Sequence, residues 1–276
     1  MATADATEEQ KAAADLALEG VPENDVAALS AAITGWHNAR TSYRVPIRVD
    51  FLGEALNLGG NMWELPGTRP NFHFYGNGVE VISSVMDYNG IGIRLSASHT
   101  VFDGFRITGG NQALVINNMS ITVRNNIFRL AVSMLDKPLL FQTDASVHAN
   151  IHYNEFDDNR NWEDSSLCPF VRLTGGNSVA YNLFSGINLL SVESWETQVH
   201  NNFFRGYEDI LKISLRLPYG QDAEQQNDNC TGIFIGNIIN APTADLTVES
   251  TVRPYTANTL KDVNTIRVSG FYLTRV

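Results

Sequence analysis

The chain has 276 residues, 43% of them hydrophobic and only 18% charged, and a net charge of −11 from 19 basic and 30 acidic side chains. This composition excludes a disordered chain, which is poor in aromatics, and a coiled coil, which is rich in Lys and Glu. It also lacks the Lys/Arg stripe that grips a phosphate backbone, so nucleic acid is not an expected partner.

In chain order, the N-terminus Met1-Ala-Thr-Ala-Asp-Ala-Thr-Glu-Glu is acidic and has no apolar centre, so it does not read as a secretory leader. No run approaches the ~18 apolar residues of a membrane span, and no membrane partner is expected. Glu8 to Leu18 is Ala-rich and helix-forming. After Pro22 a second helical stretch places Val26, Leu29, Ile33 and Trp36 on one face. Residues 1–44 therefore read as a helical segment that either caps an exposed edge or attaches the protein to a larger object. From residue 45 the texture changes to short Val/Ile/Phe runs broken by Gly and Asn, which are strands and turns. Residues 251–276 carry further strand-like pieces that close the last turns of the chain. Leu217 to Asn229 reads as a polar insertion. Cys168 and Cys230 have no metal-binding spacing and read as reduced, packed thiols.

Within 45–250 one unit recurs: an apolar residue, two residues, Asn, one residue, Phe. The copies are Val123-Arg-Asn-Asn126-Ile-Phe128, Ile151-His-Tyr-Asn154-Glu-Phe156, Val179-Ala-Tyr-Asn182-Leu-Phe184 and Val199-His-Asn-Asn202-Phe-Phe204. Phe234-Ile-Gly-Asn237-Ile-Ile239 is a looser fifth, and Asp103-Gly-Phe105 a degenerate earlier one. The asparagines stand 28, 28, 20 and 35 residues apart, the mark of a solenoid whose length differences lie in loops. Stacking rungs at about 4.8 Å puts like residues over like. The apolar residue three before Asn and the aromatic two after it then point inward. Asn126, Asn154, Asn182, Asn202 and Asn237 form an amide ladder, with Asn itself in the left-handed turn conformation. The column two before Asn (Arg124, His152, Ala180, His200, Ile235) faces solvent, with His152 and His200 too far apart, roughly 10 Å, to share a metal ion. In the column three after Asn, Arg129 and Asp157 pair across neighbouring rungs.

These repeats resemble the right-handed parallel β-helix superfamily of the pectin-lyase-like fold, over roughly residues 70–250. The resemblance implies an all-β solenoid. Leucine-rich repeats also carry an Asn ladder, but the dense leucine run that precedes it there is missing here. Small β-helices with a helical N-terminal segment are also found among phage tailspike, fibre and capsid-decoration proteins. That likeness implies a homotrimer on a virion, made in the host cytoplasm and held to other virion proteins through residues 1–44.

Two segments carry candidate chemistry. Asp157-Asp-Asn-Arg-Asn-Trp162-Glu163-Asp164 is an insertion between rungs. Its carboxylates Asp157, Asp158, Glu163 and Asp164 suit a Ca²⁺ ion or acid–base work on a sugar, and Trp162 suits stacking on a sugar ring. Gly206-Tyr-Glu208-Asp209-Ile-Leu-Lys212-Ile-Ser214 resembles a stretch of alginate- and chondroitin-type β-helix lyases. That resemblance implies Lys212 as the proton-abstracting base, Arg216 as its helper and Glu208 or Asp209 at a cation, although the patterned cation site of pectate lyases is missing. The expected functions are thus a virion-borne structural or binding protein, a depolymerase acting on an acidic or capsular glycan, or a plain sugar-binding module.

Overall fold

The computed structural model describes residues 26–40, 42–52, 55–83, 90–109, 112–130, 141–144, 147–158, 169–194, 196–206, 210–216, 233–241, 243–248, 259–261 and 265–269. Over these residues the chain is a parallel β-solenoid. Successive strands step from one sheet to the next, so every third strand pairs with the same neighbour. The three parallel sheets have eight, nine and nine strands, with orders 1-4-7 and so on, 2-5-8 and so on, and 3-6-9 and so on. Each rung is one strand in each sheet. Rung one is Ile47–Asp50, Ala55–Gly59 and Trp63–Leu65, and rung five is Ala149–His152, Glu155–Asp157 and Val171–Thr174. Thr259–Lys261 and Thr265–Ser269 continue the second and third sheets beyond rung eight.

Helix α1, Val26–Ala39, closes the N-terminal end. Its stripe of Leu29, Ala32, Ile33 and Trp36 is buried and continuous with the solenoid core, which is why apolar residues recur there at helical spacing. Arg40 ties α1 down, donating from Nη1 to the Pro70 carbonyl at 2.8 Å and lying 4.3 Å from the Tyr43 ring centroid. The Ala-rich stretch 8–18 lies outside the described residues, as do Cys168 and Cys230.

The core is built from identical positions stacked on one another. Phe128, Phe156, Phe184 and Phe204 are fully buried and stack in parallel at 4.8 Å from rung four to rung seven. Val123, Ile151, Val179 and Val199 form the neighbouring inward column. Beside them runs the asparagine ladder. Asn154 Oδ1 accepts from Asn126 Nδ2 at 3.1 Å and from the Asn126 backbone N–H at 3.0 Å. Asn154 Nδ2 donates to the Val123 carbonyl at 2.9 Å and to Asn182 Oδ1 at 3.0 Å. The pattern repeats through Asn202 to Asn237. Every ladder side chain is buried, so these bonds answer polar groups that water cannot reach. The ladder starts at rung four because Phe105 occupies the asparagine position one rung earlier, where it stacks on Phe102 at 4.2 Å.

One detail differs from the sequence reading. The left-handed residue is not the ladder asparagine but the one before it. On six consecutive rungs this is Gly104, Asn125, Tyr153, Tyr181, Asn201 and Gly236, with φ between +55° and +77°. The turn there connects the first and second sheets with two residues. The left-handed residue swings the chain, and the asparagine that follows points inward with its N–H buried. For an L-residue other than Gly or Asn this conformation costs about 1–2 kcal/mol. A second correction concerns Ala180, expected on the solvent face. It is only 5% exposed, because its methyl group lies below the level of His152 and His200 on the rungs to either side.

Candidate functional site

Of the sequence-derived candidates, Asp157 and Asp158 stand where the second sheet ends, and Lys212 and Arg216 lie along a strand of the third sheet. Asp157 faces outward and meets Arg129 at 3.2 Å, as the column reading expects. Asp158 is 1% exposed, its N–H donating to the Ser185 carbonyl, so the two adjacent carboxylates do not share one surface. Lys212 is half-buried on the outer face of the third sheet, two rungs further along, in register with Asn188 and Asp245. Arg216 is four residues further along the same strand, in register with Glu193. By strand rise Lys212 and Arg216 stand roughly 13 Å apart. Trp162, Glu163, Asp164, Glu208, Asp209 and the insertion 217–229 lie outside the described residues. Among the described residues, no three His, Cys, Asp or Glu side chains gather to hold a metal ion such as Ca²⁺.

A concave feature lies at the corner where the third sheet returns to the first. Two cavities of about 580 and 470 Å³ meet at Ser120 there. Together they form a groove along the solenoid axis from rung two to rung seven, roughly 24 Å long at the strand spacing. Its outer wall is a column of corner residues: Asn71, His99, Ser120, His148, Gly176 and Glu196. Its floor is the adjacent column of the first sheet: His73, Val101, Thr122, Asn150, Ser178 and Gln198. Asn71, His99 and Ser120 hold left-handed φ of 64°, 56° and 59°, which turns the chain sharply enough to raise the wall. Arg44 and Tyr43 close the N-terminal end.

In the half of the groove formed by the 470 Å³ cavity, an imidazole and a carboxylate converge over a glycine. A Cβ on Gly176 would stand 2.5 Å from His148 Nδ1 and 2.9 Å from Glu196 Oε2. The two polar atoms are therefore separated by no more than those two distances together, with the glycine leaving the space between them open. His148 Nδ1 lies 3.0 Å from the Gly176 carbonyl. When Nδ1 carries the proton, it donates there and leaves Nε2 as an acceptor. Asn150, Ser178 and Gln198 bring amides and a hydroxyl to the same cavity. The site offers donors and acceptors in close alternation, the equipment for binding hydroxyls.

Below the groove, a buried network fixes the corner. Asn177 Oδ1 accepts from the Ala149 N–H at 3.2 Å, and its Nδ2 reaches Thr143 Oγ1 at 3.2 Å and the Thr174 carbonyl at 2.9 Å. The groove has a signal in the sequence that a motif search misses. Its wall residues stand six before each ladder asparagine (Ser120, His148, Gly176, Glu196) and its floor residues four before (Thr122, Asn150, Ser178, Gln198).

Three histidines have lowered pKa values. Burial is the main cause for each. Arg40 and Arg69 add to it for His37, and Arg124 adds to it for His73. Arg124 also lowers His152, against a smaller opposing pull from Asp103. A histidine with a lowered folded pKa contributes stability above its unfolded pKa of about 6.5 and loses it as pH falls through the folded value. His73→Gln with His152→Gln is accordingly expected to flatten the fall in melting temperature between pH 7 and pH 5.5. An unchanged slope would show that these rings protonate without cost.

Comparison with protein-family models, with curated proteins and with solved structures returned no match to this chain.

Proposed function

We propose that the protein is a binding β-helix of the pectin-lyase-like, phage-surface kind, carried on a virion, and that the groove along its first sheet holds an extended glycan. The observation that supports this reading is the groove: open, long in one direction and lined by hydroxyl-binding side chains in two regular columns. A linear polymer of hydroxylated rings presents a matching array. The net charge of −11 opposes close approach of a polyanion, which favours a neutral chain over a polyuronate. Binding is favoured over cleavage because Lys212, within the third sheet, and the Asp157–Asp158 pair, at the end of the second, stand apart from the groove residues. Attachment to a particle falls to the residues before Val26, since the apolar face of α1 is occupied by the core. A trimer of side-by-side solenoids fits the second sheet, whose outer column carries Leu183, Phe203 and Ile238 in register, with Ile238 exposed.

His148→Ala combined with Glu196→Ala is expected to weaken binding of neutral oligosaccharides at least tenfold by calorimetry, with the melting temperature unmoved because both side chains are exposed. Equal affinity in the variant would remove the groove as the site. Release of reducing ends or unsaturated uronates, lost in Lys212→Ala, would replace binding by catalysis. Light scattering that gives a monomer would remove the trimer.

A further inference from the structure

Across the first sheet from the groove runs the row of left-handed residues described above. Four of its six members are Gly or Asn, which adopt this conformation with little strain. The other two are Tyr153 and Tyr181, on adjacent rungs, both at φ 58°. For a bulky side chain that is a true outlier. Burial does not offset it, because the rings are 57% and 51% exposed. They stack on each other at 5.3 Å and 9°. His152 meets the Tyr153 ring edge-on at 5.4 Å, His200 meets the Tyr181 ring at 6.1 Å, and Asn201 Nδ2 reaches Tyr181 Oη at 3.4 Å. The core already has its own aromatic stack, so the fold does not need this one. Strain kept on the surface, where the neighbouring rungs show that a relaxed residue serves the turn equally well, points to a ligand.

We propose that Tyr153 and Tyr181 are a second contact row for the glycan chain on the first sheet, parallel to the groove. This inference rests on the glycan reading of that face. Aromatic rings take the C–H surfaces of a sugar, while the phenol hydroxyls and the flanking imidazoles take its hydroxyls. The local charges also select the sugar. Arg124 is neutralised by Asp103 at 2.8 Å, and Asn125 Nδ2 donates to the same carboxylate at 2.8 Å. The arginine of the adjacent column is thus already engaged by a carboxylate, so the row suits a neutral sugar. From His148 to Tyr153 the sheet is roughly 16 Å wide, so a glycan that runs along the groove meets the tyrosines through a branch of a few sugar units.

The test is the double variant Tyr153→Asn with Tyr181→Asn, which gives both rungs the residue found at Asn125 and Asn201. Cello-, manno- and galacto-oligosaccharides serve as probes. The expected result is a melting temperature equal to or above the parent's, together with at least tenfold weaker binding of the oligosaccharide that the parent binds. The tyrosine absorbance difference that this sugar produces in the parent should disappear. Unchanged affinity here, with affinity lost in the His148→Ala, Glu196→Ala variant, would overturn the tyrosine row and leave the groove standing. A parent that binds none of the three sugars would overturn both. A lowered melting temperature with a changed oligomeric state would assign the tyrosines to subunit packing and overturn the inference.

Discussion

Phe156→Ala is expected to destabilise the protein by about 3–5 kcal/mol, the cost of a large buried cavity. The ring is fully buried and is sandwiched between Phe128 and Phe184 at 4.8 Å on each side, with Phe141 edge-on at 5.5 Å. Removing it leaves two ring faces without partners, and the strands cannot close the gap. Their separation is set by hydrogen bonds on both sides, to Phe128 and to Phe184 in register. A solenoid rung is therefore a poor place to relax a cavity, and the upper end of the range applies. Denaturant unfolding checks it. A loss below about 1 kcal/mol would mean that the stack contributes little beyond filling space.

Asn154→Ala is expected to cost about 1–3 kcal/mol for each buried group it strands. Three backbone groups lose a side-chain partner: the Asn126 N–H and the Val123 and His152 carbonyls, bonded at 3.0, 2.9 and 3.1 Å. The amides of Asn126 and Asn182 lose the middle of their chain as well. Asn154→Asp tests the polarity of the ladder, because a carboxylate still accepts from Asn126 but has no N–H for the Val123 carbonyl. The aspartate variant should melt below the parent, and the alanine variant should be destabilised too. Identical melting of all three proteins would count against an energetic role for the ladder.

What was legible in the sequence was whatever repeats with the rung. Val123, Asn126 and Phe128 recur at fixed offsets, so the inward columns, the ladder and the Arg129–Asp157 pair all followed from one alignment. The conformation of the turn was misplaced by one residue, because Asn is the usual left-handed residue and here burial claims it for the ladder. The network around Asn177 was hidden because its partners, Thr143 and Thr197, come from different rungs and are of a different residue type. The groove was harder still. Ser120, His148, Gly176 and Glu196 share an offset but no chemistry, and only the corner geometry makes them one wall. Glu196 and His148 become neighbours because a glycine intervenes on the rung between them.

The two-residue turn between the first and second sheets separates length from distance. It is invariant from Gly104-Phe105 to Gly236-Asn237, so the 20- to 35-residue spread between ladder asparagines is absorbed at the other two corners. A rung of 20 residues and one of 35 advance the axis by the same single strand spacing. Measured along its axis the molecule is a ruler graduated in rungs, and residues can be added at those two corners without moving a graduation. Ligand groups spaced along the first sheet would keep their separation however the loops behind them grow or shrink.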